Sequence, residues 1–263
     1  AKISAVYRSV DSYLRIGSPD KIHRDLVLHK NMEKAGFPVA RLIEEGEENG
    51  EAYFIESSLG DKHFGVLFAE DVARTGSIRE ETFQQFISIC ELFARAQLST
   101  RSETKGYAEF AKGIWLGQLC EEMPENAEAI ITRFEKLRKH TEQLPFVLTH
   151  GDFNPNNLYP GGVIDLEDAF PGPYGYDLVS AISHIESFPT SEGYEYLAKY
   201  HFTEAQIQEF SERLNVISKE AGLVPLSEFW NDFEFCRAVW LAADIPNTPK
   251  LQQFRYTFVI ENS

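Results

Sequence analysis

The stretch that decides how this chain folds is Leu148-Thr149-His150-Gly151-Asp152-Phe153-Asn154-Pro155-Asn156-Asn157-Leu158, followed by Val163-Ile164-Asp165-Leu166-Glu167-Asp168. An apolar lead-in runs into a polar loop that carries a carboxylate, Asp152, and then an amide, Asn157. A short apolar strand follows and ends on a second carboxylate, Asp165. If the loop turns back beside that strand, Asp152, Asn157 and Asp165 converge on one point. Oxygen donors of this kind suit Mg²⁺, which takes one or two protein carboxylates and completes its shell with phosphate oxygens and water. A carboxylate left outside that shell is placed to act as a general base.

His-x-Asp-x-x-x-x-Asn followed by Ile-Asp is the pattern of the catalytic and metal loops of protein kinases. In detail, His150 to Asn157 resembles the aminoglycoside phosphotransferase family, small-molecule kinases that include choline, fructosamine and some homoserine kinases. Ile164-Asp165-Leu166-Glu167-Asp168-Ala169, then Gly172 and Tyr176-Asp177-Leu178, is similar to that family's next signature. The resemblance implies an α+β, protein-kinase-like, two-lobed fold. Residues 1–58 would form a nucleotide-binding lobe of small antiparallel sheet plus one helix. Residues 59–263 would form a helical lobe with the catalytic loop and the acceptor site. The family's phosphate-gripping loop and first strand normally precede such a hairpin, so upstream residues are expected to be missing here.

The resemblance also implies roles. Asp152 would orient the acceptor hydroxyl, because phosphoryl transfer depends more on positioning than on base strength. Asn157 and Asp165 would hold Mg²⁺ against the phosphates of ATP or GTP. His150 is expected to fix the loop through backbone bonds, and Asp177 to brace it from the next helix. Glu167 and Asp168 would touch a second Mg²⁺, touch an ammonium of the acceptor, or cap the loop.

Ahead of this loop, Ile3–Arg8 and Tyr13–Ile16 read as a hairpin. Arg15 sits where kinases carry their phosphate-contacting lysine, and a guanidinium grips phosphate oxygens with parallel bonds. Ser18-Pro19-Asp20 opens a helix with Ile22, Leu26, His29 and Met32 at helical spacing. Asp25 of that helix is in register to pair with Arg15. Strands are expected over Val39–Ile43 and Ala52–Glu56 around a charged turn, Glu44–Glu51. Glu56 to Ser58 would then form the hinge on which the base of the nucleotide docks.

Beyond Gly60 the pattern turns helical. Ser77-Ile78-Arg79-Glu80 reads as a capping box, and so does Thr203 with Gln206. Helices are expected at about 191–200, 203–221, 226–243 and 248–261. Tyr194, Tyr196 and Trp240 are among the aromatic residues there, and Asp232, Glu234 and Asp244 are candidates to face a cationic acceptor.

Composition narrows the partners. The chain has 263 residues, 43% hydrophobic and 25% charged, and a net charge of -16. Residues 1–58 hold 8 Lys/Arg against 10 Asp/Glu, and the remainder 17 against 31. Such an acidic second part argues against nucleic acid and anionic membranes and favours a cationic ligand. Cys90, Cys120 and Cys236 are odd in number and widely spaced, which points to a reduced, cytoplasmic setting. Oligomeric state is not legible. The expectation is therefore an ATP- and Mg²⁺-dependent kinase acting on a hydroxyl of a small cationic molecule. A kinase-like nucleotide-binding protein without turnover is the alternative.

Overall fold

The computed structural model describes residues 4–189, 198–244 and 249–263. The short, turn-punctuated segments at the start form a four-stranded antiparallel sheet. It is ordered β1 (Ser4–Arg8), β2 (Ser12–Gly17), β4 (Glu51–Ser57), β3 (Leu42–Glu48). β3 and β4 are joined through Asn49 and Gly50, at φ 54° and 83°. Asn-Gly supplies that left-handed backbone at little cost, which sets the hairpin turn at this dipeptide. The expected strand over Val39–Ile43 and turn over Glu44–Glu51 are thereby corrected. The acids are the strand, on an exposed sheet edge where charge discourages further pairing. Val39 instead makes a lone parallel bridge to Val163, which ties the sheet to the segment that ends in Asp165.

Helix α1 (Pro19–Lys34) buries Ile22, Leu26, His29 and Met32, as its spacing requires. Ile22 and Leu26 pack with Ala52 and Phe54 of β4. Pro19 in the first turn forfeits no hydrogen bond, since that N–H has no partner within a helix.

Next come α2 (Phe64–Thr75), α3 (Glu80–Ser99), α4 (Tyr107–Gly113), α5 (Leu116–Glu122) and α6 (Ala127–His140). The stripe Phe83, Phe86, Ile87, Cys90, Phe93 and Ala94 of α3 is wholly buried. Phe86 packs against Phe68 with ring centres 5.4 Å apart, and Phe93 stacks on Phe153 of the catalytic loop at 4.1 Å. Burying rings of this size contributes about 1.5–3 kcal/mol each, so the loop is anchored to the densest part of the core. The capping box expected at Ser77 is absent, and α3 has Arg79 at its N-cap with no side-chain cap. Asp71 of α2 does that work. Its carboxylate accepts from the Arg79 N–H at 3.2 Å and from Thr82 Oγ1 at 2.6 Å.

Four short strands frame the polar loop: β5 (Phe146–Leu148), β6 (Leu158–Tyr159), β7 (Gly162–Val163) and β8 (Pro171–Pro173). β5 pairs with β8 and β6 with β7, all antiparallel. The chain closes with α7 (Tyr176–Ser183), α8 (Glu204–Glu220), α9 (Trp230–Asp244) and α10 (Pro249–Glu261). The box of Thr203 and Gln206 makes both of its bonds. The helix expected from 226 begins as a 3-10 turn, Leu226–Phe229, ahead of α9. The helix expected over 191–200 falls mainly on residues outside the described ones, as do Tyr194 and Tyr196. No described helix is long and apolar enough to cross a membrane.

Candidate active site

The site is built on a backbone that only particular residues accommodate. Gly151 has φ 84°, and a Cβ placed there would lie 2.2 Å from the Asp168 carbonyl oxygen. Beneath it, Asp177 at the start of α7 accepts the N–H groups of His150 at 2.8 Å and Gly151 at 3.2 Å. Gln97 of α3 donates to the same carboxylate at 2.7 Å. Burial pushes the Asp177 carboxyl up to about 7 against the pull of these donors. His150 is buried, and its Nε2 donates to the Ile164 carbonyl at 2.7 Å, so the loop is tied to the segment that follows β7 and leads to Asp165. Burial lowers this imidazole and keeps it neutral.

Asp152 emerges from this platform with both oxygens engaged. Asn154 Nδ2 donates to Oδ1 and Asn157 Nδ2 to Oδ2, each at 2.9 Å. The third donor is Arg237 of α9, whose Nη2 meets Oδ1 at 2.6 Å. Burial is the largest influence and raises the Asp152 carboxyl, but the charge and the hydrogen bond of Arg237, with smaller contributions from His184 and His150, together hold the group below the ordinary carboxylate range. With its amide nitrogen committed to Asp152, Asn157 presents its side-chain oxygen as the remaining donor atom.

Asp165 follows in a left-handed conformation, φ 64°. Non-glycine residues rarely adopt it, and such outliers concentrate at functional sites. Burial and the neighbouring Glu167 charge raise the Asp165 carboxyl, with Arg15 acting against them. Asp152 and Asp165 are near enough to repel. The local excess of negative charge fits a cation held by hard oxygen donors. Among the described residues no group of three or more His, Cys, Asp or Glu side chains is placed to hold a metal unaided. A cation at Asp165 and Asn157 would therefore take its other ligands from a phosphate or water.

Arg15 is directed to this side, but its partner is not Asp25. Arg15 Nε donates to Glu56 Oε1 at 2.9 Å, across neighbouring strands of the sheet. Asp25 instead lies 3.5 Å from Lys21, which reaches Glu167 at 2.5 Å. Side-chain reach explains the change, because β2 and β4 are adjacent and Glu56 is buried where Asp25 is half-exposed. Ser58 follows β4, its Oγ 3.3 Å from the Gly60 N–H. Arg15, Glu56, Ser57, Leu59 and Asp165 line one cleft of about 250 Å³ between the sheet and the Tyr159–Asp165 segment.

The acids considered for a cationic acceptor are engaged elsewhere. Asp232 binds Arg133 at 2.7 Å and His140 at 2.6 Å, and Glu234 accepts from the Trp230 indole at 2.9 Å. The Asp244 side chain lies outside the described residues.

Arg237 and His184 were not singled out from the sequence. Arg237 Nη2 also donates to His184 Nδ1 at 3.0 Å, and its guanidinium stacks over Trp240 at 4.4 Å. One signal was available. Arg237 falls at helical spacing between Phe233 and Trp240, so a lone cation occupies the buried face of α9.

Comparison with known proteins adds the family. A family model described as the phosphotransferase enzyme family matches residues 6–210. The fold is similar to an ethanolamine kinase from Plasmodium vivax, at 12% identity and a TM-score of 0.57, covering 98% of this chain and 81% of that one. It is also similar to an aminoglycoside phosphotransferase from Streptomyces rimosus solved with ADP and streptomycin. That match has 12% identity and a TM-score of 0.51, covering 98% of this chain and 89% of that one. A third similar structure is a thermostable aminoglycoside phosphotransferase in complex with ADP and hygromycin B, at 12% identity and a TM-score of 0.53. It covers 99% of this chain and 94% of that one. These relatives share the protein-kinase-like architecture of a small sheet joined to a helical part. No curated protein matches the sequence.

Proposed function

The chain belongs to the phosphotransferase enzyme family, enzymes that move phosphate onto the hydroxyl of a small molecule, and from that premise we propose that its donor is ATP held with Mg²⁺. The single observation that carries this reading is the Asp152–Asn157–Asp165 group, set beside a cleft that also holds Arg15. Asp165 and the side-chain oxygen of Asn157 would hold the metal. When bound, Mg²⁺ neutralises charge on the phosphate oxygens and fixes their direction.

The chain's own groups do the rest. Arg15, held by Glu56, faces the phosphates. The end of β4 around Ser57 and Ser58 borders the part of the cleft where the base would dock. The acceptor hydroxyl donates to Asp152, which aims its oxygen at the γ-phosphorus. The bond from that phosphorus to the bridging β-phosphate oxygen breaks as the bond to the acceptor oxygen forms. ADP leaves with the electron pair of the broken bond, and the hydroxyl proton passes to Asp152 and then to solvent. Asp152 kept ionised by Arg237 accepts this hydrogen bond at neutral pH. In this reading residues 1–58 form the nucleotide lobe and 59–263 the acceptor lobe.

The test is an acceptor screen with Mg-ATP on the wild type and on Asp152→Ala. Transfer is expected to fall by about 10²–10⁴-fold in the variant. Activity that survives undiminished would remove Asp152 from this role. Nucleotide binding with no turnover on any acceptor would favour a kinase-like binding protein instead.

A further inference from the structure

A second cleft, of about 450 Å³, lies between α2 and the 3-10 turn His184–Ser187 that follows α7. It shares no lining residue with the cleft at Arg15 and Asp165. Asn156 of the catalytic loop and His184 both line it, so it reaches the neighbours of Asp152. Two rings of its wall are each backed by a buried guanidinium. Arg237 lies behind His184 at 3.0 Å, and Arg255 of α10 lies 5.5 Å from the centre of the Phe188 ring.

Arg237 and Arg255 are only 1% and 3% exposed, and each keeps a buried Nε–H without a partner among the described residues. Among the described residues Arg237 pairs with one carboxylate, Asp152. Arg255 has none among the described residues, and its Nη1 goes to the Leu241 carbonyl at 3.0 Å. Burial and the nearby Arg237 charge lower Arg255 to about 10. On the His184 ring two buried positive charges, Arg237 and Arg255, thus act against one carboxylate, Asp152.

The lining itself offers hydrogen-bond donors. An arginine can only donate, so His184 Nδ1 is the acceptor of their bond and the neutral ring carries its proton on Nε2. No described residue accepts from that N–H. Lys199 adds a further positive charge. The one acid of the lining, Glu70, is held by Lys62 at 2.5 Å. The acidic surface of the helical part does not reverse this. Exposed charges are screened over about 8–10 Å, whereas buried charges are screened much less.

We propose that this cleft is the acceptor site, and that the acceptor is an alcohol bearing an oxyanion, a carboxylate or a phosphate. Lys199 and the His184 Nε2–H hold that group while the hydroxyl lies against Asp152. The proposal rests on Asp152 orienting the acceptor and narrows the acceptor class away from the cationic one.

The test offers Mg-ATP and the full chain four small alcohols: glycerate, glycerol phosphate, glycerol and ethanolamine. At least one of the two anionic alcohols is expected to exceed glycerol and ethanolamine in kcat/KM by about tenfold or more. The two anionic arms separate carboxylate from phosphate. Lys199→Glu is expected to lower kcat/KM for the preferred anion by about tenfold, while Lys199→Arg retains it. Preference for ethanolamine or glycerol overturns the proposal and leaves the kinase reading standing. If none is phosphorylated, calorimetric binding of glycerol phosphate and ethanolamine in the presence of ADP decides. Tighter binding of the anion supports the proposal, and tighter binding of the cation, or of neither, overturns it. Failure to bind nucleotide at all ends both readings.

Discussion

On its sheet side Asp152 faces Asp165, around which Glu167, Glu56 and Asp25 gather against Arg15 and Lys21. Toward α9 and α10 the same carboxylate meets Arg237, with His184 and Arg255 behind it. The two sides also differ in how charge is held. The sheet-side pairs are partly open to water, with Arg15 at 25% and Lys21 at 20% side-chain exposure, whereas Arg237 is at 1%. A transferred phosphoryl group needs cations on its donor side and a fixed hydroxyl on the other. The acidic side suits a metal ion brought in with the nucleotide, and the basic side is permanent. Net charge, which is -16, describes neither side, because it is set by the exposed surface.

The largest effect that would break this comparison is removal of the permanent cation. Arg237→Met leaves Asp152 without its buried counter-charge, and breaking such a pair costs about 3–5 kcal/mol. Urea unfolding should show that loss, with part of it recovered in Arg237→Lys. A loss below about 1 kcal/mol would mean that water already screens the pair.

On the other side, Arg15→Ala leaves Glu56 buried with His29 as its one ionisable neighbour among the described residues, at 3.6 Å. The expected cost is about 1–3 kcal/mol, smaller because the Arg15 side chain is partly solvated. The same variant should raise the KM for nucleotide. An unchanged KM would place Arg15 outside the nucleotide site.

The smallest effect concerns pH. Burial, then the Arg237 charge, lowers His184 to about 3 from its ordinary 6.5. The folded state therefore binds fewer protons than the unfolded one below pH 6.5. The stability this group contributes is full above that pH and is lost as pH falls toward 3. The slope is at most about 1.4 kcal/mol per pH unit. Asp177, raised to about 7, acts in the opposite direction across much of that window, because there the folded state holds the extra proton. Stability curves between pH 6.5 and 4.5 should thus be flatter for the wild type than for a variant lacking either group. His184→Asn should gain stability over wild type as pH falls, by up to that slope. Parallel curves would mean that His184 is protonated in the folded protein.

The fold was largely legible because its deciding features are contiguous. The loop from His150 to Asn157 and the segment ending in Asp165 lie within one short span, and α1 announces its buried face through Ile22, Leu26, His29 and Met32. What was not legible depends on contacts between distant segments. Arg237 stands 85 residues from Asp152, and nothing in local spacing joins them. Glu56 was placed at the hinge, yet its side chain turns to Arg15 because β2 and β4 are neighbours in the sheet. The run Glu44–Glu51 reads as a turn by charge alone, but Asn49-Gly50 is the stronger punctuation and leaves the acids on an edge strand. The expectation of a cationic acceptor rests on an average over the whole second part, and the proposal of an anionic one on the few groups in a cleft wall.

The most direct measurement of the sheet-side assignment needs no knowledge of the acceptor. Nucleotide affinity is titrated calorimetrically with and without Mg²⁺, on the wild type and on Asp165→Ala. We expect Mg²⁺ to tighten ADP or ATP binding to the wild type by about tenfold or more, and to have little effect on Asp165→Ala. An equal Mg²⁺ dependence in both proteins would contradict the account, because the metal would then be held somewhere other than Asp165.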